Sequence, residues 1–200
     1  MTLTELPWDP LSPAEVAGLF GGVQFWVAGG YAIELAVGRP VRPHGDIDVL
    51  LLRRDQFAAQ RALAGWEWWA ADPPGTLRPW RPGEILPPDV HDIWCRTADS
   101  WQVQVMLDES DGDDWVSRRN RRVRRRIETI GNVSSSGIPY LAPEIQLFYK
   151  SRSPRAKDAI DLHAALPLLS ATQRQWLADA ITETGGSHAW LEMILEDRLA

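Results

Sequence analysis

Residues 23–52 read VQFWVAGGYAIELAVGRPVRPHGDIDVLLL, and this stretch decides the fold. Residues 23–28 (VQFWVA) are a short apolar run rich in β-formers and bounded by glycines, which predicts a strand. Gly29-Gly30 is a tight turn. Residues 31–37 (YAIELAV) have helical character and stop at Gly38, with Pro40 just beyond. Residues 46–52 (DIDVLLL) predict a second strand. Side chains two apart on a strand share a face, so Asp46 and Asp48 project together while Ile47 and Val49 point into the core.

Upstream, Ser12-Pro13-Ala14-Glu15 is a helix start, with a capping Ser, Pro at the first position and an acid behind it. That helix should end near Gly21-Gly22. Downstream, residues 54–64 fit an amphipathic helix closed by Gly65, and residues 66–71 a short strand. The proline-rich residues 72–89 predict a long loop with a short strand around Leu77 to Trp80. Residues 92–96 and 101–107 are two apolar runs around Thr97-Ala98-Asp99-Ser100, which reads as a β-hairpin. Beyond the Ser134–Gly137 loop the character changes. Helical stretches follow at Pro143 to about Lys150, 154–166, 171–184 and 187–199. The expected fold is α/β (α+β): a mixed sheet flanked by helices over residues 1–137, then a small C-terminal helical bundle over 138–200.

Composition narrows the class. A chain of 200 residues with 44% hydrophobic and 24% charged residues suits an ordinary globular protein. No window approaches the length of about 20 apolar residues that a membrane span needs, and Met1 to Pro13 do not resemble a signal peptide. A soluble, cytoplasmic protein is expected. The single cysteine, Cys95, excludes an intrachain disulfide and a Cys-rich zinc site, and reads as a buried apolar residue. The 11 tryptophans read as core or groove walls. A net charge of −6 does not attract nucleic acid to the surface as a whole. Seven arginines between Arg118 and Arg126 nevertheless form one dense basic run, read as a solvated face or as an anion-binding groove. Residues 108–114 (DESDGDD) lack the EF-hand spacing and read as an acidic turn.

Two carboxylates side by side repel each other and are costly to bury. A divalent cation relieves both problems, and hard oxygen ligands suit Mg²⁺, which commonly takes one or two carboxylates plus phosphate oxygens. Gly29-Gly30, lacking Cβ atoms and opening a helix, would let a phosphate approach the backbone. A metal pair beside a phosphate cradle describes phosphoryl or nucleotidyl transfer.

These residues carry a family resemblance. Gly29-Gly30-Tyr31-Ala32-Ile33-Glu34, followed by Arg42-Pro43-His44-Gly45-Asp46-Ile47-Asp48, resembles the signature of the polymerase-β-like nucleotidyltransferase superfamily, closest to its aminoglycoside and lincosamide adenylyltransferase branch. The family usually has Asp where Glu34 stands. Residues 150–161 (KSRSPRAKDAID) resemble the family's helical segment. The resemblance implies Mg²⁺ on Asp46 and Asp48, and an NTP, most simply ATP, as co-substrate. It also implies a third carboxylate, best matched by Asp108, with Asp92 and Glu109 as runners-up. That residue would be the general base for the acceptor hydroxyl or a second metal ligand. Arg42, His44 and Lys150 lie where they could touch phosphate, with Gly29 and Gly30 shaping its pocket. Lys157 and Asp161, four apart, could instead form a pair along one helix.

The implied reaction is transfer of a nucleoside monophosphate to a hydroxyl of a small molecule, such as an aminoglycoside-like or lincosamide-like compound. Two readings stand beside it. One keeps the fold and takes protein or tRNA as acceptor in a toxin–antitoxin setting, favoured by the arginine run. The other is an inert nucleotide-binding module, against which both Asp46 and Asp48 argue.

Overall fold

The computed structural model describes residues 3–185 and 188–196. The first helix, α1 (Pro13–Leu19), starts on the expected capping box: Ser12 Oγ accepts the Glu15 N–H, and Glu15 Oε2 accepts the Ser12 N–H at 2.7 Å. Strand β1 (Phe25–Val27) leads into α2 (Gly29–Val37), which the left-handed Gly38 ends. The chain returns as β2 (Asp48–Leu52), then α3 (Gln56–Ala62), β3 (Glu67–Ala71), β4 (Leu77–Pro79), β5 (Asp92–Arg96) and β6 (Val103–Asp111).

The sequence left the next segment as turn and basic run, and the structure differs. Strands β7 (Asp114–Val116) and β8 (Arg124–Arg126) fold back on the end of β6 as an antiparallel ribbon. The acidic turn and the basic run are each other's partners: Arg124 pairs with Asp111 at 2.5 Å, and Arg126 with Asp113 and Asp114 at 3.2 and 3.4 Å. Neither run has hydrophobic alternation; β7 is held by the buried Trp115 and Val116, and the cross-strand charges lie at the exposed edge of the ribbon.

A hairpin of β9 (Gly131–Val133) and β10 (Pro139–Leu141) follows, turning through Ser134–Gly137. Strand β10 lies parallel to β1, so the sheet continues past residue 137 and the helical part opens at Pro143. The full order is β4-β3-β5-β6-β2-β1-β10-β9, with the β7–β8 ribbon hung from β6. Two pairings, β1 with β10 and β2 with β6, are parallel; the rest are antiparallel.

Helices α4 (Pro143–Lys150), α5 (Ala156–Ala165), α6 (Ala171–Thr184) and α7 (His188–Glu196) complete the chain. Ser187 and residues 197–199 of the last expected helix lie outside the described residues, as do Met1 and Thr2. Every residue of α4 is buried, because it is wedged between α2, α5 and α6. The core runs continuously from β1 and β2 through α2 and α4 to α6 and α7. Cys95 lies in it, fully buried, as expected. Among the described residues, no helix is long and apolar enough to cross a membrane.

Candidate active site

The C-terminal end of β1, the N-terminus of α2 and the start of β2 meet at a cleft of about 430 Å³, which α4 and the segment after it close from the other side. Asp46 and Asp48 both line it, as do Gly29, Gln104, Arg118 and Lys150. Ile47 and Val49, pointing the other way, are fully buried. The period-2 reading of DIDV therefore describes the geometry.

Gly29 has φ +65, and a Cβ there would overlap the Asp48 carboxylate. The bare backbone thus lets Asp48 sit against the helix start. Its N–H is already engaged, donating to Gln146 Oε1 at 2.8 Å. Among the described residues neither the Asp46 nor the Asp48 carboxylate makes a hydrogen bond or an ion pair. Burial, and then the charge of Asp46, push the Asp48 pKa up to about 7, against the pull of Lys150 and Arg118. A carboxylate that unsatisfied is one that a divalent cation would suit: two acidic oxygens side by side, with room in the cleft for phosphate and water oxygens. Asp46 and Asp48 are the residues that fit Mg²⁺.

The third expected carboxylate is elsewhere. Asp108 stands level with Leu52, whereas Asp48 stands level with Gln104. Asp108 is completely buried and fully engaged: Trp115 Nε1 and Tyr149 Oη donate to its Oδ2, each at 2.6 Å, and Arg118 pairs with its Oδ1 at 2.5 Å. This is a structural anchor that holds Arg118 and Tyr149 at the cleft wall. Glu109 is likewise spent, on Arg53 at 2.5 Å. Asp92 does not line the cleft; its charge, after that of Asp46, adds to the upward push on the Asp48 pKa, and it accepts from Gln104 Nε2 at 2.7 Å. Among the described residues no three His, Cys, Asp or Glu side chains converge as a metal site.

Arg42 and His44 do not line the cleft. Arg42 forks onto Asp161 at 2.8 and 2.9 Å, and His44 Nε2 lies 2.8 Å from Glu34 while its ring stacks on Tyr31. Gly30 does not line the cleft, and a Cβ there would overlap these two side chains, so it serves the packing of the loop. Glu34 fastens the same loop by accepting the Val41 and Arg42 N–H groups. Burial works to raise its pKa, but those bonds and His44 hold it below the usual range.

Lys150 does line the cleft, held between Asp158 at 2.9 Å and Asp161 at 2.8 Å. Asp161 is thereby claimed by Arg42 and Lys150, and the expected pair with Lys157 does not form. The arginine run divides. Arg122, Arg124, Arg125 and Arg126 pair with acidic residues away from the cleft, whereas Arg118, paired with Asp108, and Arg119 stand at the cleft over the Tyr149 ring. Burial, with Arg118 and Arg152 nearby, brings the Arg119 pKa down to about 10. Gln146, Tyr149 and Arg152 also line the cleft, and no motif in the sequence marked them.

The family model for aminoglycoside-2''-adenylyltransferase matches residues 20–165, which contain every residue of this cleft. The chain belongs to the aminoglycoside-2''-adenylyltransferase family. It is a nucleotidyltransferase, and the family implies a nucleotide co-substrate. Solved structures with this fold include ANT(2'')-Ia in complex with adenylyl-2''-tobramycin, at 12% identity and TM-score 0.53, covering 85% of this chain and 93% of that one. A solution structure of ANT(2'')-Ia matches at 16% identity and TM-score 0.51, covering 93% and 95%. The lincosamide antibiotic adenylyltransferase LnuA, with lincomycin bound, matches at 15% identity and TM-score 0.51, covering 76% and 92%. At these identities the likeness speaks for the fold. No curated protein matches the sequence.

Proposed function

We propose that the enzyme transfers a nucleoside monophosphate, most simply AMP from ATP, to a hydroxyl of a small molecule, with Asp46 and Asp48 holding Mg²⁺. The carrying observation is the pair of unengaged carboxylates in a cleft that also holds Arg118, Arg119, Lys150, Arg152 and Arg155. The metal would supply charge neutralisation on the phosphates. Arg119 and Arg152, which have no carboxylate partner among the described residues, face the same space and suit the departing pyrophosphate. Arg118 and Lys150 are held rigid by Asp108, Asp158 and Asp161, so their charge is in place before the phosphates arrive.

In this reading Asp92, and not Asp108, orients the acceptor hydroxyl and takes its proton, with Gln104 fixing the carboxylate. The acceptor oxygen forms its bond to the α-phosphorus as the bond to the bridging oxygen breaks and pyrophosphate leaves. Family membership and the acceptors named for ANT(2'')-Ia and LnuA favour an antibiotic-like small molecule. The basic run, which would have favoured RNA, spends most of its charge on carboxylates.

The test is pyrophosphate release with Mg²⁺ and each NTP across a panel of small hydroxylated acceptors. Asp46→Ala and Asp48→Ala should each lose about a thousandfold in rate with the circular dichroism spectrum unchanged. Turnover at the wild-type rate by either variant removes the metal assignment.

A further inference from the structure

Helix α4 turns one face to the cleft: Gln146, Tyr149 and Lys150, at i, i+3 and i+4, all line it. Two of these have spent their polar groups inside the protein. Tyr149 Oη donates its single proton to Asp108, and Lys150 Nζ is held between Asp158 and Asp161. Gln146 differs. It is 5% exposed, its Oε1 accepts the Gly29 N–H at 2.8 Å, and its Nε2 makes no hydrogen bond among the described residues. The orientation of the amide follows from its partner. A backbone N–H needs an acceptor, so the oxygen faces Gly29 and the two side-chain N–H groups are the end left over. Gln104, the other amide at the cleft, has spent its nitrogen on Asp92 at 2.7 Å.

A buried amide whose donors are unused is costly, and calls for an acceptor that arrives later. Gly29 fixes where that acceptor must stand. A Cβ on Gly29 would overlap the Asp48 carboxylate, so the start of α2, Asp48 and Gln146 meet at one end of the cleft. An oxygen that accepts from Gln146 there lies beside the metal-type pair, where nucleotidyl transfer brings phosphoryl oxygens. The Gly29 N–H itself is not open to a phosphate, because Gln146 has taken it. The polarity of the helix start instead reaches the cleft through the glutamine amide, since in a chain of hydrogen bonds each one polarises the next.

We propose that Gln146 is a phosphate-contacting residue: its Nε2 donates to a non-bridging oxygen of the nucleotide held at Asp46 and Asp48, standing in for the Gly29 N–H that its Oε1 occupies. The assignment rests on the nucleotidyl-transfer reading and adds a neutral donor to it. The residue type suits the task. Glutamine accepts from Gly29 and donates to an anion at once, whereas Glu would supply the oxygen without the donor, Lys the donor without the oxygen, and Met neither.

The probe is α,β-methylene-ATP with Mg²⁺, which cannot react at the bond that transfer breaks. In the whole ¹⁵N-labelled protein, the Gln146 side-chain NH₂ signals are identified by their loss in Gln146→Met. They should move downfield and exchange more slowly with solvent when Mg²⁺ and the analogue are added together, and should stay in place with Mg²⁺ alone. By calorimetry, Gln146→Met should bind the analogue with Mg²⁺ about tenfold more weakly than wild type. Gln146→Glu keeps an oxygen for Gly29, so it carries the test where Gln146→Met fails to fold, and it should lose at least as much affinity. Wild-type affinity in Gln146→Glu reduces Gln146 to a cap on Gly29 and overturns the proposal. Amide signals unmoved by the bound analogue, or moved in full by Mg²⁺ alone, overturn it as well. Failure of the analogue to bind wild type removes the transfer reading, and this assignment with it.

Discussion

Asp48 and Asp108 lie on adjacent strands, four residues apart in register, and they have opposite fates. Asp108 has three donors and no contact with water. Asp48 has no donor, a like charge beside it and a pKa pushed up to about 7. Burying a charge without partners is among the costliest things a fold can do. A carboxylate left in that state is kept for something that arrives later, whereas one that is fully answered builds the wall. The same division separates Lys150, locked between two aspartates, from Arg119 and Arg152, which face the cleft without one.

The largest break in this comparison comes from the anchor. Asp108→Ala strands the buried Arg118 guanidinium and leaves the Trp115 and Tyr149 donors open, so denaturant unfolding should show a loss of about 3–5 kcal/mol. An Asp108→Ala protein that keeps wild-type stability and loses only activity would return Asp108 to the catalytic set.

Asp48 should behave in the reverse sense. Its folded pKa, about 7, lies above the ordinary 3.8, so the folded protein holds that proton more tightly than the unfolded chain does. Metal-free stability is therefore undiminished by this group below about pH 4 and is lost as pH rises toward 7. The difference is on the order of 3 kcal/mol once the water-facing part of the group is allowed for. Urea midpoints of wild type against Asp48→Asn should converge at low pH, and at pH 7 the variant should be the more stable. Millimolar Mg²⁺ should narrow that gap by stabilising wild type alone. Parallel curves for the two proteins would mean the carboxylate is not strained.

Smaller effects sharpen the edges. Gly29→Ala forces a side chain onto φ +65 and into Asp48, which should cost about 1–3 kcal/mol and displace the metal-type pair, read as weaker Mg-ATP binding. Lys157→Ala, with no ion pair to Asp161 to lose, should leave thermal stability within about 0.5 kcal/mol.

The paired faces of Asp46 and Asp48, the turn at Gly29 and the element order from α1 to β6 were all legible in the chain, because strand alternation and capping act over a few residues. The β7–β8 ribbon was not, since its strands are three residues each, too short for a pattern, and pair only after β6 turns back. Nor were the surroundings of Asp108 and Asp92, both strand residues near the position expected for a third carboxylate. Which donors each of them meets depends on how β2, β5 and β6 are aligned, and alignment between strands is a long-range property. Local sequence thus determined which side chains share a face of one element. Tertiary structure decided which carboxylates found donors, because the arginines, tyrosine and tryptophan that answer them come from distant parts of the chain.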